Sequence, residues 1–165
     1  MKPLSLVLFL ALAGLGCTTA HERPADPPPA EEPVGLRPSE LSSRTDTPLL
    51  FLPARYMGQA VLTAERPWYA ASYRDEQMTL FLSGTIAFVD PPDDLADMTD
   101  EERTPNAIAR GFGAWDTVNE GIRSLAWEEN GAAYTLEVEC ASPIDRRCTD
   151  EAFLRELADQ LEVQP

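Results

Sequence analysis

Side chains that exchange protons near neutrality are almost missing from this 165-residue chain. Its one lysine is Lys2 and its one histidine is His21, so arginine carries every positive side chain beyond residue 21. General acid–base catalysis draws most often on histidine, and a serine or cysteine nucleophile needs histidine or lysine beside it. Catalytic zinc sites nearly always include histidine. Triad hydrolases, zinc peptidases and Schiff-base enzymes are therefore disfavoured together. What the composition leaves open is carboxylate chemistry of the glycosidase kind, or a calcium or magnesium site. No metal or other cofactor is predicted.

A membrane-length apolar run is also missing. The longest, Leu4–Leu15, has 12 residues, against the ~20 that a spanning helix needs. With Met1-Lys2 before it and small residues after it, the run reads as the core of an export signal. It ends at Ala13-Gly14-Leu15-Gly16-Cys17, which is similar to the lipobox of bacterial lipoproteins. The usual leucine three places before the cysteine is Gly14 here, with Leu15 one place late. The resemblance implies cleavage after Gly16 and a lipid on Cys17, with diacylglycerol and palmitate-type chains holding the chain to a membrane. An ordinary secretory signal beside an incidental cysteine is the alternative. Thr18, where an aspartate would retain the protein at the inner membrane, favours the outer membrane, facing the periplasm or the cell surface.

Positive charge is scarce as well: 13 Lys and Arg stand against 28 Asp and Glu, a formal net charge of −15. Loss of residues 1–16 removes Lys2 and moves it to −16. Such a surface repels nucleic acid and anionic lipid, which argues against both as partners. Cysteine is sparse too. With Cys17 assigned to a lipid, Cys140 and Cys148 remain, and an exported chain can keep them as a disulfide. Closing so short a loop stabilises the fold by about 2.5 kcal/mol in the chain-entropy model. A redox pair or half of a metal site is the alternative. The spacing is not that of a redox motif, and no second cysteine pair or nearby histidine exists.

Proline, by contrast, is abundant and uneven. Seven prolines fall between Thr18 and Pro48 with few large apolar residues, a composition that cannot bury enough surface to fold. The predicted organisation is a signal peptide over 1–16, a disordered tether over 17–48 and one small β-rich domain over 49–165. No internal repeat is visible.

Within the domain, Asn130-Gly131 suits a two-residue hairpin turn with positive φ at both positions. Centred there, Trp127 falls opposite Tyr134 and Leu125 opposite Leu136, while Thr135, Glu137 and Glu139 point the other way. A second hairpin is predicted from Trp68–Arg74 and Met78–Leu82. Its four-residue connection pairs Tyr73 with Met78, Ala71 with Leu80 and Tyr69 with Leu82. Thr85–Val89 continues past Ser83-Gly84 as a further strand or beyond a bulge, and Leu49–Leu52 and Ala60–Thr63 add edge strands. The chain ends in an amphipathic helix with Thr149 as cap and Phe153, Leu154, Leu157, Ala158 and Leu161 on one face. The expected fold is α+β: an antiparallel β-sheet with a C-terminal amphipathic helix packed on one face.

The block Leu125-Ala126-Trp127, Asn130-Gly131, Tyr134-Thr135-Leu136 and Glu151–Leu161 resembles the end of a small extracytoplasmic domain. That domain occurs in some bacterial anti-sigma-factor-like and sporulation-related proteins, and Leu50–Pro53 resembles the strand and proline that open it. The two later cysteines and the acidic stretch over 90–102 depart from its pattern. The resemblance implies a sensing or binding module with no catalytic residues to carry over.

Two further features carry alternatives. The acidic stretch, with Thr99 and Glu102 at capping-box spacing and Thr104-Pro105 as a second helix start, reads as a solvated loop with one short helix between 99 and 110. It lacks the glycine and glutamate spacing of an EF-hand loop. Trp68, Tyr69, Tyr73, Trp115, Trp127 and Tyr134 read as core aromatics, with Phe112 and Trp115 as a possible binding rim. The expected protein is thus a lipid-anchored, non-enzymatic envelope module with an envelope protein as partner. Rivals are a hydrolase built on Glu128, Glu129, Glu137 and Glu139, and a carrier of a lipid-like ligand.

Overall fold

A computed structural model of the chain describes residues 35–87 and 104–163. In chain order the elements are α1 (Pro38–Leu41), β1 (Leu50–Phe51), α2 (Ala54–Met57), β2 (Val61–Glu65), β3 (Trp68–Arg74) and β4 (Met78–Thr85). They continue with β5 (Ala107–Ala109), β6 (Phe112–Asn119), β7 (Ile122–Glu129), β8 (Ala132–Cys140), α3 (Arg146–Thr149), α4 (Glu151–Asp159) and β9 (Glu162–Val163). Seven strands form one antiparallel sheet in the order β2-β3-β4-β8-β7-β6-β5, and β1 pairs with β9 in a separate two-stranded ribbon. This is an α+β fold with its C-terminal helices against the sheet.

Alternation builds the core. Leu82 lies opposite Leu136, which lies opposite Leu125, and all three are fully buried. The next row joins Tyr69, Gly84, Tyr134, Trp127 and Ala114. Trp127 stacks on Tyr134 with ring centroids 5.5 Å apart. A side chain at Gly84 would put its Cβ 2.5 Å from the Tyr69 ring, so the row closes only around a glycine. Against this face α4 buries Leu154, Leu157 and Ala158, the stripe that its periodicity predicts.

The Asn130-Gly131 hairpin has the predicted register, with Trp127 opposite Tyr134 and Leu125 opposite Leu136. The upstream hairpin is shifted by two residues, pairing Tyr73 with Leu80, Ala71 with Leu82 and Tyr69 with Gly84. The cause is Asp75. Its carboxylate accepts from the Gln77 and Met78 amides, and its own N–H donates to the Met78 carbonyl, which tightens the loop. A slip of two keeps every side chain on its predicted face. Ser83-Gly84 makes no bulge; β4 runs unbroken to Thr85.

Three expectations are corrected. The described part of the predicted 99–110 helix, residues 104–110, holds no helix, because Ala107–Ala109 pairs with Phe112–Ala114 as β5; residues 99–103 lie outside the described set. The described part of the predicted tether, residues 35–48, packs on the domain. Leu41 is fully buried, and the Leu36 amide donates to the Leu62 carbonyl at 2.8 Å. Two tyrosines also hold its end: Tyr134 Oη donates to the Pro48 carbonyl, and Tyr69 Oη bonds both backbone groups of Leu50. Finally, α4 is capped by Asp150 rather than Thr149. Thr149 already closes α3, and the Asp150 carboxylate accepts from the Ala152 amide.

Candidate functional site

Three hairpins carry the β5–β8 half of the sheet, and their turns fall ten residues apart at Arg110-Gly111, Glu120-Gly121 and Asn130-Gly131. All six residues have positive φ, from 49° to 87°, the geometry of the turn that matches strand twist. The first turn is fixed by its side chain. Arg110 Nε donates to Glu129 Oε2 at 2.7 Å, and Nη1 donates to the carbonyls of Ala158 and Leu161. Its amide donates to Asp159. One arginine thus neutralises a buried carboxylate and satisfies the carbonyl end of α4, where positive charge is favourable. Trp127 Nε1 donates to the same Glu129 oxygen at 3.3 Å.

A second ionic cluster sits at the start of α4. The buried Asp116 carboxylate accepts from Arg123 Nε at 3.0 Å and Arg155 Nη2 at 3.4 Å, and Arg155 also pairs with Glu151. The Asp116 backbone is held by the side-chain amide of Asn106, which both accepts from its N–H and donates to its carbonyl. In α3, Arg147 bonds the Asp145 carboxylate and holds its pKa down to about 2. Burial lifts the Tyr134 hydroxyl to about 12 and pushes that of Tyr69 well above its ordinary range.

The predicted site residues separate into distinct places. Cys140 and Cys148 are joined by a disulfide, with Cα atoms 6.1 Å apart, tying the end of β8 to α3. Cys17 and the acidic stretch at 90–102 lie outside the described residues. Phe112 is exposed and Trp115 half-buried, but three positions apart on one strand they point to opposite faces, so they form no common rim. The hairpin glutamates also divide. Glu129 faces the core and is neutralised by Arg110, whereas Glu128, Glu137 and Glu139 share the helix-free face, where Glu137 accepts from Ser124. Among the described residues no cluster of three His, Cys, Asp or Glu is arranged to hold a metal ion, and no helix is long and apolar enough to cross a membrane.

The feature that sequence reasoning misses is a surface hollow of about 270 Å³ between the second turn and the disulfide. Val118, Pro143, Cys140 and Cys148 line it, together with Glu120, Glu139, Ser142 and Thr149. The ten-residue spacing of the glycine turns was the signal for it, since that spacing fixes where β6 ends. No family model, no curated protein and no solved structure matches this chain.

Proposed function

We propose that this chain is a lipid-anchored lipoprotein of the bacterial cell envelope whose folded domain binds another envelope protein and catalyses no reaction. The observation that carries the reading is the Cys140–Cys148 disulfide, because such a bond persists in oxidising compartments and is rare in the cytoplasm. The amino-terminal sequence supplies the route there, through the apolar run that ends at Cys17. The absence of histidine and lysine after residue 21 supports binding over proton-transfer chemistry. The engagement of Arg110, Arg123, Arg147 and Arg155 in ion pairs supports it further, since these cations brace the fold. Against the lipid-carrier alternative, Leu154, Leu157 and Ala158 join the sheet leucines in one continuous buried cluster.

Intact-mass analysis of the protein extracted from membranes tests the anchor. The expected product lacks residues 1–16, carries a diacylglyceryl group on Cys17 and has no free thiols at Cys140 and Cys148. Replacement Cys17→Ser is expected to release the domain from the membrane fraction. An unmodified amino terminus with free thiols throughout would sink the reading. Cross-linking in intact cells, followed by mass spectrometry, tests for the envelope partner.

A further inference from the structure

The two edges of the seven-stranded sheet are finished differently. At β2 the chain covers its own edge, because the Leu36 amide bonds the Leu62 carbonyl and Gly35 lies against Val61 and Leu62. At the other edge β5 is only three residues long and covers Phe112–Ala114 of the eight-residue β6. Beyond it the Asn106 side chain stands in for a strand by bonding both backbone groups of Asp116. Alternation points the backbone groups of Phe112, Ala114, Asp116 and Val118 toward this edge. Val118 is the one left over: no described residue pairs with its outward N–H and C=O, and its side chain is 58% exposed. Pro105 rests on Gly113, on the helix-free face, and among the described residues none lies against the edge at Val118.

Val118, without a backbone partner among the described residues, borders the hollow by the disulfide. Val118, Pro143 and Cys140–Cys148 give its walls apolar carbon and sulfur, Ser142 and Thr149 add hydroxyl-bearing residues, and Glu120 and Glu139 line it as well. Neither glutamate has a cationic partner among the described residues, while Arg123 and Arg147 nearby in the fold are held by Asp116 and Asp145. Among the described residues no three His, Cys, Asp or Glu side chains are placed to hold a metal ion, and this hollow is lined by two acidic residues, Glu120 and Glu139. They suit a long aliphatic stem with a positive head, which lies along apolar surface while its charge meets the acids.

We propose that the end of β6 receives an extended segment of a partner protein, whose backbone pairs with Val118 and whose lysine or arginine side chain enters the hollow toward Glu120 and Glu139. The mode is strand addition, with backbone bonds for affinity and one side-chain pocket for specificity. The partner supplies the cation, since Arg123 and Arg147 beside the hollow are already paired with Asp116 and Asp145. A second copy is disfavoured by like charge at a net −15. The proposal deepens the binding-module reading and rests on it.

The test uses the exported chain with Cys17→Ser and two octapeptides of alternating threonine and valine, one with a central arginine and one with citrulline in its place. Amide spectra of the labelled protein are expected to shift saturably at Val118, Gly121 and Thr149 with the arginine peptide. The citrulline peptide is expected to bind about tenfold more weakly, two partly exposed ion pairs being lost. The double variant Glu120→Gln with Glu139→Gln should bind both peptides equally weakly. Equal binding of the two peptides by the unaltered chain, or shifts that miss Val118, would overturn the proposal. If neither peptide binds while cross-linking in cells still captures an envelope protein, this site is wrong and the binding-module reading stands. If cross-linking captures nothing either, both fall.

Discussion

The two faces of the seven-stranded sheet share the same strands, yet alternate residues give them different chemistry. On the helix-covered face β4, β8 and β7 present Leu80, Leu82, Tyr134, Leu136, Val138, Leu125 and Trp127, all nearly inaccessible. On the other face the same strands present Phe81, Ser83, Thr135, Glu137, Ser124 and Ala126, all half-buried. Burial on one side alone is enough to fix register, because a slip of one residue would send every leucine to water. The helix-free face has no such duty, and its small and polar side chains are what a solvated sheet face carries. The contrast has energetic content, and four measurements break or sharpen it.

The largest expected difference is between two tryptophans on neighbouring strands. Trp127 is 1% exposed on the covered face, and Trp127→Ala is expected to cost about 3–5 kcal/mol in chemical denaturation. Trp115 is half-buried on the open face, and Trp115→Ala is expected to cost less, about 2 kcal/mol, because part of its ring stays in contact with water and its loss opens no enclosed cavity. Similar losses at both positions would mean that the open face is covered in the native protein, and the distinction between the faces would fail.

The covered face also holds charge, which sharpens the comparison. Glu129 is 8% exposed and bonded by Arg110 and Trp127. Removing its charge by Glu129→Gln leaves a guanidinium facing the core, at an expected cost of about 3 kcal/mol. The double variant with Arg110→Met should recover part of that loss, since the stranded charge goes with it. It should not recover all, because Arg110 also satisfies the carbonyls of Ala158 and Leu161 at the end of α4. A double-mutant cycle with no coupling would show that the pair is not formed in solution.

Alkaline unfolding probes the tyrosines that hold residues 48–50. Burial raises Tyr134 from 10.0 to about 12 and raises Tyr69 as well. A raised folded-state value means that the folded protein keeps its phenol protons where the unfolded chain gives them up. The stabilisation is therefore complete below pH 10 and is lost as pH rises from there through the folded value. Stability is expected to stay level to about pH 10 and then fall by about 1–2 kcal/mol for Tyr134 over the next two units. Tyr134→Phe should flatten that part of the decline while removing one bond to the Pro48 carbonyl. A wild-type curve that stays flat to pH 12 would show that these hydroxyls are not buried.

How much of this was legible in the sequence depended on which group made each decision. Asn130-Gly131 announced its turn because asparagine and glycine both accept positive φ, and the register followed. Arg110-Gly111 and Glu120-Gly121 adopt the same turn, but arginine and glutamate disfavour that conformation, so β5 and the full length of β6 stayed unread. The two-residue shift at Asp75 came from a side chain bonding the backbone, which hydrophobic alternation does not register. Proline content hid the packing of residues 35–48, where Leu36 and Leu41 supply the apolar anchors. The disulfide was readable from spacing and compartment. The hollow beside it was not, because its walls come from β6, β8 and the loop before α3, which converge only in the folded chain.

The smallest expected effect concerns the turn that this comparison singles out. Arg110 at φ 54° is compensated by four hydrogen bonds to Glu129 and α4, and Asn130 at φ 53° is intrinsically suited to the region. Glu120 at φ 49° has neither advantage: its side chain is exposed and forms no ion pair among the described residues. Left-handed backbone costs an ordinary L-residue roughly 1–2 kcal/mol, and asparagine recovers part of that. Glu120→Asn is therefore expected to raise stability by about 0.5 kcal/mol, read as a small increase in the denaturant midpoint at unchanged slope. The same change at Arg110 should be strongly destabilising, since it discards the bonds that offset the strain. If Glu120→Asn instead weakens the domain, the glutamate has a native contact that offsets its conformation. The strained position would then be maintained by binding within the molecule, not left open at the rim of the hollow.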